Sequence, residues 1–530
     1  MLFFPLRKPC RPRQGHGTKA LSWRALLSGA LVAGQLLVVP AARAQLPGMG
    51  DTGEMTASAE RKLGDSIARE LYLDTDYIDD PVIGEYVQDI WLSLLAAARL
   101  RGELTPELDE RFAWTVLLGR DRNINAFALP GGYLGLNLGL VAVTGSRDEL
   151  ATVLGHELSH VTQRHIARML NRQSRQMPLM LAAMILGVLA ASKSRSPDAG
   201  QAVIMGSQAA FMQNQLSFSR DVEREADRIG FGIMTQAGFA PQGAAAMFER
   251  LQYASRLNDN GSYPYLRSHP MTGERIADMQ SRYELAPGTP ALPLLMNHAM
   301  IGSRARVLTR PGVDVLRLWV DAAGPAGLGA LGRSSPAQQA GTLYAAALSA
   351  SELRDFPAAL VLAARLVVRV ADDMPSARLA RLLSAEIELK AGAAPRALQL
   401  LNANSGKRPE LLLAAQAAIN TRAPQSMIVP LRDWLVANPR DGTAWHTLAN
   451  LYGAQNDTLR AIRADAEANV VQLDYAAARD RLKAAQDLTR RGEDGKAGMV
   501  VDHYEASIID TRAREVDALV KEQAAEKLPN

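Results

Sequence analysis

Cysteine is almost missing from this chain of 530 residues: Cys10 is the only one. It lies in a stretch expected to be removed, so the mature chain has no disulfide framework, no thiolate metal ligand and no cysteine nucleophile. Any metal must be held by histidine and carboxylate. Aromatic residues are also scarce, at 5%, and the second half is rich in Ala, Leu and Arg. That composition favours packed helices over a β-sandwich. Long hydrophobic runs are absent as well. The two longest, Ala25–Val39 and Met177–Ala191, are both short for a comfortable membrane span.

The first of these runs follows a basic, acid-free stretch containing Arg7, Lys8, Arg11, Arg13, Lys19 and Arg24, and it precedes Ala42-Arg43-Ala44. This is the layout of a secretory signal peptide cleaved after Ala44, which implies export. An uncleaved membrane anchor is the alternative. Residues 1–44 hold seven positive side chains and no acid, so without them the formal charge of +4 becomes −3. The positive excess of the precursor is therefore no argument for nucleic-acid binding.

At this length more than one domain is expected. After a Gly/Met linker, Asp80-Pro81 starts a helix, with Asp as cap and Pro in the first turn. Phe112–Leu118 reads as a strand, and Asn125–Leu136 as two short strands around Pro130-Gly131-Gly132. Ser146 and Glu149 form a capping box that opens an amphipathic helix. Residues 45–290 thus read as an α+β domain, 291–335 as a linker and 336–530 as all-α. In the last part alanines recur 12 residues apart: Ala347 and Ala359, Ala385 and Ala397, Ala449 and Ala461. That spacing fits the paired small positions of a tetratricopeptide helix–turn–helix, with a generic alanine-rich bundle as the alternative.

The chemistry is concentrated in His156-Glu157-Leu158-Ser159-His160. Two histidines four apart on a helix project from one face and can bind one zinc ion, with Glu157 turned toward the remaining position. With 8 His and 55 Asp plus Glu in the chain, chance supplies roughly 0.01 such strings. The third ligand must come from elsewhere. His165 reads as a surface residue, about 140° around the helix from His160. The better candidate is Ser219–Asp227, where Glu223 and Asp227 share a helix face. Glu223 can reach the metal and Asp227 can accept the outer N–H of a ligating histidine, while Glu225 points elsewhere.

With its downstream Ser219-Arg220-x-x-Glu223-x-x-Ala226-Asp227 segment, the chain resembles the M48 family of zinc metallopeptidases. The likeness is strong over 110–290 and only architectural after 336. It implies a zincin-like metalloprotease domain followed by a tetratricopeptide-repeat domain. It implies one Zn2+ per subunit on His156, His160 and Glu223, with Glu157 as the base that activates water. Asp227 would stand behind the ligands or serve as a proton donor. The segment Asn125-Ala126-Phe127-Ala128 resembles the family's strand beside the cleft, which could hold an extended substrate by β-augmentation. Ser268-His269-Pro270 also matches, and there the resemblance implies a histidine that sits on zinc in a resting state. A helix-capping role and oxyanion stabilisation are the alternatives for His269.

The signal, protease and repeats together resemble the periplasmic branch of the family. That implies misfolded or stalled outer-membrane proteins as substrates, with repeats that dock clients or assembly machinery. A repeat-mediated chaperone or adaptor with latent proteolysis is the second reading, and a membrane-embedded prenyl-type protease the third. Met177–Ala191 is expected to be a lid beside the site, with peripheral membrane contact or a buried helix as alternatives.

Overall fold

The computed structural model describes residues 55–173, 220–256, 264–285, 294–325, 327–402, 405–493 and 502–525. The expected signal peptide and the apolar stretch Met177–Ala191 lie outside these residues. Two long helices come first, α1 (Ala57–Leu73) and α2 (Pro81–Leu100). Asp80 caps α2 as expected, its carboxylate accepting from Ile83 N at 2.8 Å. The short α3 (Pro106–Arg111) leads into a three-stranded sheet: β1 (Thr115–Gly119), β2 (Ala126–Leu129) and β3 (Tyr133–Asn137). The strand starts three residues later than its apolar sequence suggests. Phe112 closes α3, and Trp114 takes a left-handed φ of 50°, which breaks an extended run.

The sheet order is β1-β3-β2, with β1 parallel and β2 antiparallel to β3. The turn between β2 and β3 needs its glycines: Gly131 and Gly132 have φ of 72° and 85°. Next come α4 (Leu138–Val143), α5 (Arg147–Thr162), α6 (His165–Gln173), α7 (Arg220–Gln236), α8 (Gln242–Arg256), α9 (Pro264–Ser268) and α10 (Gly273–Leu285). Helix α5 is buried on nearly every face, between β2 on one side and α7 and α8 on the other. Ser146 caps it as expected, but Glu149 reaches past Ser146 and accepts from Gly145 N at 2.7 Å.

The span 291–335, expected to link two parts, carries α11 (Met296–Leu308), α12 (Val313–Ala323) and α13 (Leu328–Arg333). Buried α11 packs on α4 before it and on the first helix of the next region. Every described element from 336 onward is helical: α14 (Pro336–Glu352), α15 (Phe356–Arg369), α16 (Met374–Lys390), α17 (Ala394–Leu400), α18 (Arg408–Asn420), α19 (Gln425–Ala437), α20 (Gly442–Ala454), α21 (Thr458–Val471), α22 (Tyr475–Glu493) and α23 (His503–Ala525). Each alanine pair straddles one hairpin. Ala347 and Ala359 join α14 to α15, Ala385 and Ala397 join α16 to α17, and all four are fully buried. Ala449 and Ala461 sit at the same places on α20 and α21.

One apolar core runs from α2 through these hairpins, and residues 54–530 form one unit. Three arginines reinforce the junction at the start of α2 in the same way. Arg304 joins Asp80 (2.6 and 2.8 Å) to Glu386 (2.8 Å). Arg378 joins Glu85 (3.1 Å) to Glu410 (2.6 Å), and Arg408 joins Asp79 to Asp441 (2.7 and 2.9 Å). Each bridge runs from an acid in the first turns of α2 or just before it, through an arginine, to an acid of the helical region.

Candidate active site

Helix α5 carries His156, Glu157 and His160 at the centre of the first lobe, 4%, 0% and 1% exposed. Helix α7 crosses it at Gly155 and Gly230, where the backbones nearly touch. A Cβ on Gly230 would stand 2.9 Å from Gly155 C and from His156 N. This close crossing brings Glu223, 1% exposed, up to both histidines. His156 Nε2 lies 3.0 Å from His160 Nε2, and Glu223 oxygens stand 3.6 Å from each. His269, just after α9, adds its Nδ1 at 3.3 Å from His156 Nε2 and 3.0 Å from Glu223 Oε1.

These four residues offer donor atoms that all lie within 4.8 Å of one another. Ligands about 2.0–2.1 Å from a tetrahedral ion stand about 3.4 Å apart. The observed spacings of 3.0, 3.6 and 3.6 Å bracket that value, so His156, His160 and Glu223 fit a single metal ion. His269 is a candidate fourth donor.

Glu157 lies beside this cluster with its two oxygens in different surroundings. Oε2 accepts from Ala128 N at 2.9 Å, whereas Oε1 has no hydrogen-bond partner among the described residues and faces His269 Nε2 at 3.5 Å. The bond to Ala128 also shows that the outer edge of β2 looks toward α5. Asn125, Ala126, Phe127 and Ala128, the expected substrate strand, therefore border the cluster; β2 pairs on its other side with β3.

Asp227 Oδ1 stands 3.0 Å from His156 Nδ1. Sequence reasoning assigned no role to Arg275, yet it holds this region together. It donates to both Asp227 oxygens at 2.7 and 2.8 Å and to Pro270 O at 2.9 Å, with Nη1 2.9 Å from Glu223 Oε2. Burial favours a neutral Asp227, but hydrogen bonds from Arg275 and His156 outweigh it and hold the carboxyl down to about 2. Asp227 is therefore placed to accept from His156 and Arg275. Burial opposes charge on Glu223 too, and His269, His156 and Arg275 keep it below the usual range. Burial holds His160 well below ordinary histidine, whereas for His269 the Glu223 and Glu157 carboxylates overcome burial and raise it. Tyr265, also missed, stacks on His269 with ring centroids 4.7 Å apart.

The expectation that His165 lies on the surface is wrong: it is 2% exposed. The error came from continuing the helix. Helix α5 stops at Thr162, and Arg164 turns the chain with a φ of 51°. His165 thus begins a new helix and swings back, its Nδ1 2.8 Å from His160 Nδ1. Burial, with Arg168 adding to it, pushes His165 down to about 4. Glu225 does leave the cluster, as expected, and bonds to His165 and Arg168 instead.

A model of peptidase family M48 matches residues 85–283, the segment that holds every one of these groups. Over that segment the chain is similar to an M48 peptidase domain. Among similar proteins, the beta-barrel assembly-enhancing protease of Yersinia pestis is 28% identical over 80% of this chain and 83% of its own length. The Escherichia coli K12 protein of that name is 34% identical over 49% of this chain and 51% of its own. A Vibrio cholerae protein given the name provisionally is 36% identical over 51% and 53%. The chain thus spans about half the length of the last two relatives. No helix among the described residues is long and apolar enough to cross a membrane.

The crossing of α5 and α7 gives the M48-like domain a sensitive point. Gly230→Ala inserts a methyl group where no space exists, an overpacking that costs about 1–3 kcal/mol. It also pushes Glu223 away from the histidines. A lower melting temperature and a weaker metal affinity are expected from thermal melts and a competitive chelator titration.

Proposed function

We propose that this protein is a periplasmic zinc endopeptidase that degrades misfolded or stalled outer-membrane proteins and assists their assembly. The observation that carries the reading is the convergence of His156, His160 and Glu223 at the spacing of one tetrahedral ion, with Glu157 alongside. Zinc bound there would polarise a scissile carbonyl and acidify a water. Glu157 would take the proton and pass it to the leaving amine, its other oxygen anchored by Ala128 N–H. An extended substrate would lie along the outer edge of β2, adding a strand to the sheet. Asp227 would fix the His156 tautomer.

The hairpins and their paired alanines support a tetratricopeptide-like helical domain after a zincin-like first lobe. We assign that domain the docking of clients or assembly machinery, following the names of the relatives. Incubation with an unfolded outer-membrane β-barrel protein tests the reading. The zinc-loaded protein should cleave it, the chelator-stripped protein should not, and added zinc should restore cleavage. Cleavage that survives stripping would sink the reading.

One observation favours a protease held latent within an adaptor: His269 is a candidate fourth donor beside the proposed ligands. On that reading His269→Ala raises basal proteolysis. Unchanged or lost activity would point to the capping or oxyanion role.

A further inference from the structure

His165 has no place in the chemistry above, yet it is fully enclosed and touches one of the proposed ligands. We infer that His165 is a positioning residue, the middle of a Glu225–His165–His160 relay that turns the Nε2 lone pair of His160 toward the metal. The inference rests on the metal reading of the cluster and adds to it the group that sets one ligand.

His165 Nε2 lies 3.1 Å from Glu225 Oε2, and that same oxygen accepts from Arg168 Nη2 at 2.8 Å. A carboxylate held by arginine can only accept, so His165 Nε2 carries a hydrogen. With that hydrogen on Nε2, Nδ1 is the imidazole nitrogen left to accept. This nitrogen is 2.8 Å from His160 Nδ1, and the two can share only one proton, so the hydrogen belongs to His160. His160 Nε2 is consequently bare, and Nε2 is the atom that faces His156 Nε2 and Glu223. His156 reaches the same tautomer by a direct bond from Nδ1 to Asp227. The two histidines of α5 thus present matching lone pairs, one set by a carboxylate and the other by a carboxylate acting through a second imidazole.

The local fold serves this arrangement. His165 reaches His160 only because the chain turns at Gln163 and Arg164. The turn is held by Arg164 Nε donating to Glu60 Oε2 at 2.8 Å and by a further bond from Arg164 to Met55 O. Glu225 leaves α7 two residues after Glu223, so one helix supplies a proposed ligand and the outer end of the relay.

Zinc affinity of His165→Phe and His165→Gln, measured by competition with a chromophoric chelator, tests the relay. Phenylalanine keeps the ring and removes the acceptor. Glutamine can accept from His160 and donate to Glu225. Phenylalanine should weaken zinc binding 10–100-fold, and glutamine should restore it to within a few-fold of wild type. Nitrogen-15 spectra of histidine-labelled, metal-free protein should show His160 protonated on Nδ1, with that preference lost in the phenylalanine variant. Zinc binding by His165→Phe within twofold of wild type, or a glutamine variant no better than phenylalanine, would overturn the relay while leaving the metal reading intact. Wild-type protein that takes up no zinc would overturn the metal reading and the relay with it. Circular dichroism of each metal-free variant separates a folding defect, for which glutamine and phenylalanine would fail alike.

Discussion

Glu157→Gln should bind zinc as tightly as the wild type and cleave unfolded protein about 10²–10⁴-fold more slowly, the usual contribution of a positioned general base. The substitution is nearly isosteric and removes the charge and basicity of the group proposed to take the proton from water. Glu157 is fully buried, and the Ala128 N–H that binds Oε2 can still donate to an amide oxygen. The strand and the cluster should therefore stay in place. Metal content per chain and single-turnover cleavage are the two measurements. Retained zinc with wild-type cleavage would remove Glu157 from the mechanism. The same variant also divides the two functional readings. If β-barrel assembly is supported equally by wild type and Glu157→Gln, the adaptor reading wins; if support falls with proteolysis, the protease reading does.

Arg304→Ala, at the junction between the first lobe and the helical region, should destabilise the protein by about 3–5 kcal/mol. The arginine is 4% exposed and its partners Asp80 and Glu386 lie with it in the interior. Burial makes charge costly there, yet the two carboxylates hold Arg304 well above its usual range, and Arg304 in turn keeps Glu386 down to about 2 against its own burial. Removing the cation leaves two enclosed carboxylates without it, and that desolvation, more than the lost attraction, sets the size of the effect. Adding Glu386→Gln should recover part of the loss, because an amide needs no counter-charge. Urea unfolding of the three proteins measures this. A loss below about 1 kcal/mol in Arg304→Ala would mean that water reaches the junction.

Much of the site was legible because its chemistry follows helical spacing. His156 and His160 are four apart, Glu223 and Asp227 are four apart, and each pair lands on one face of one helix. The capped start of α2, the glycine turn between β2 and β3 and the alanine hairpins were legible for the same reason: local rules govern them. One miss is local: Gln163 and Arg164 carry no strong stop signal, so sequence spacing alone continues the helix through His165. The others involve contacts between distant segments. The role of Arg275 depends on Asp227, 48 residues away. The three arginine bridges span far larger separations, such as 224 residues between Asp80 and Arg304. No periodicity could have paired them.

Those three bridges, with the core they enclose, leave the helical region little freedom to swing against α2, and α2 packs directly on α5 and α7. A client held on the helices would therefore be parked at a fixed distance from the cleft. Only slack in the client itself can close that gap. On the proposed docking role, a polypeptide that has finished folding would have none to give, whereas a stalled one would pay out loose chain until a segment reached the strand edge at Ala128. The rigid junction would then work as a gauge: the protein would cut according to how much unfolded length a client can spare, without having to recognise any particular sequence.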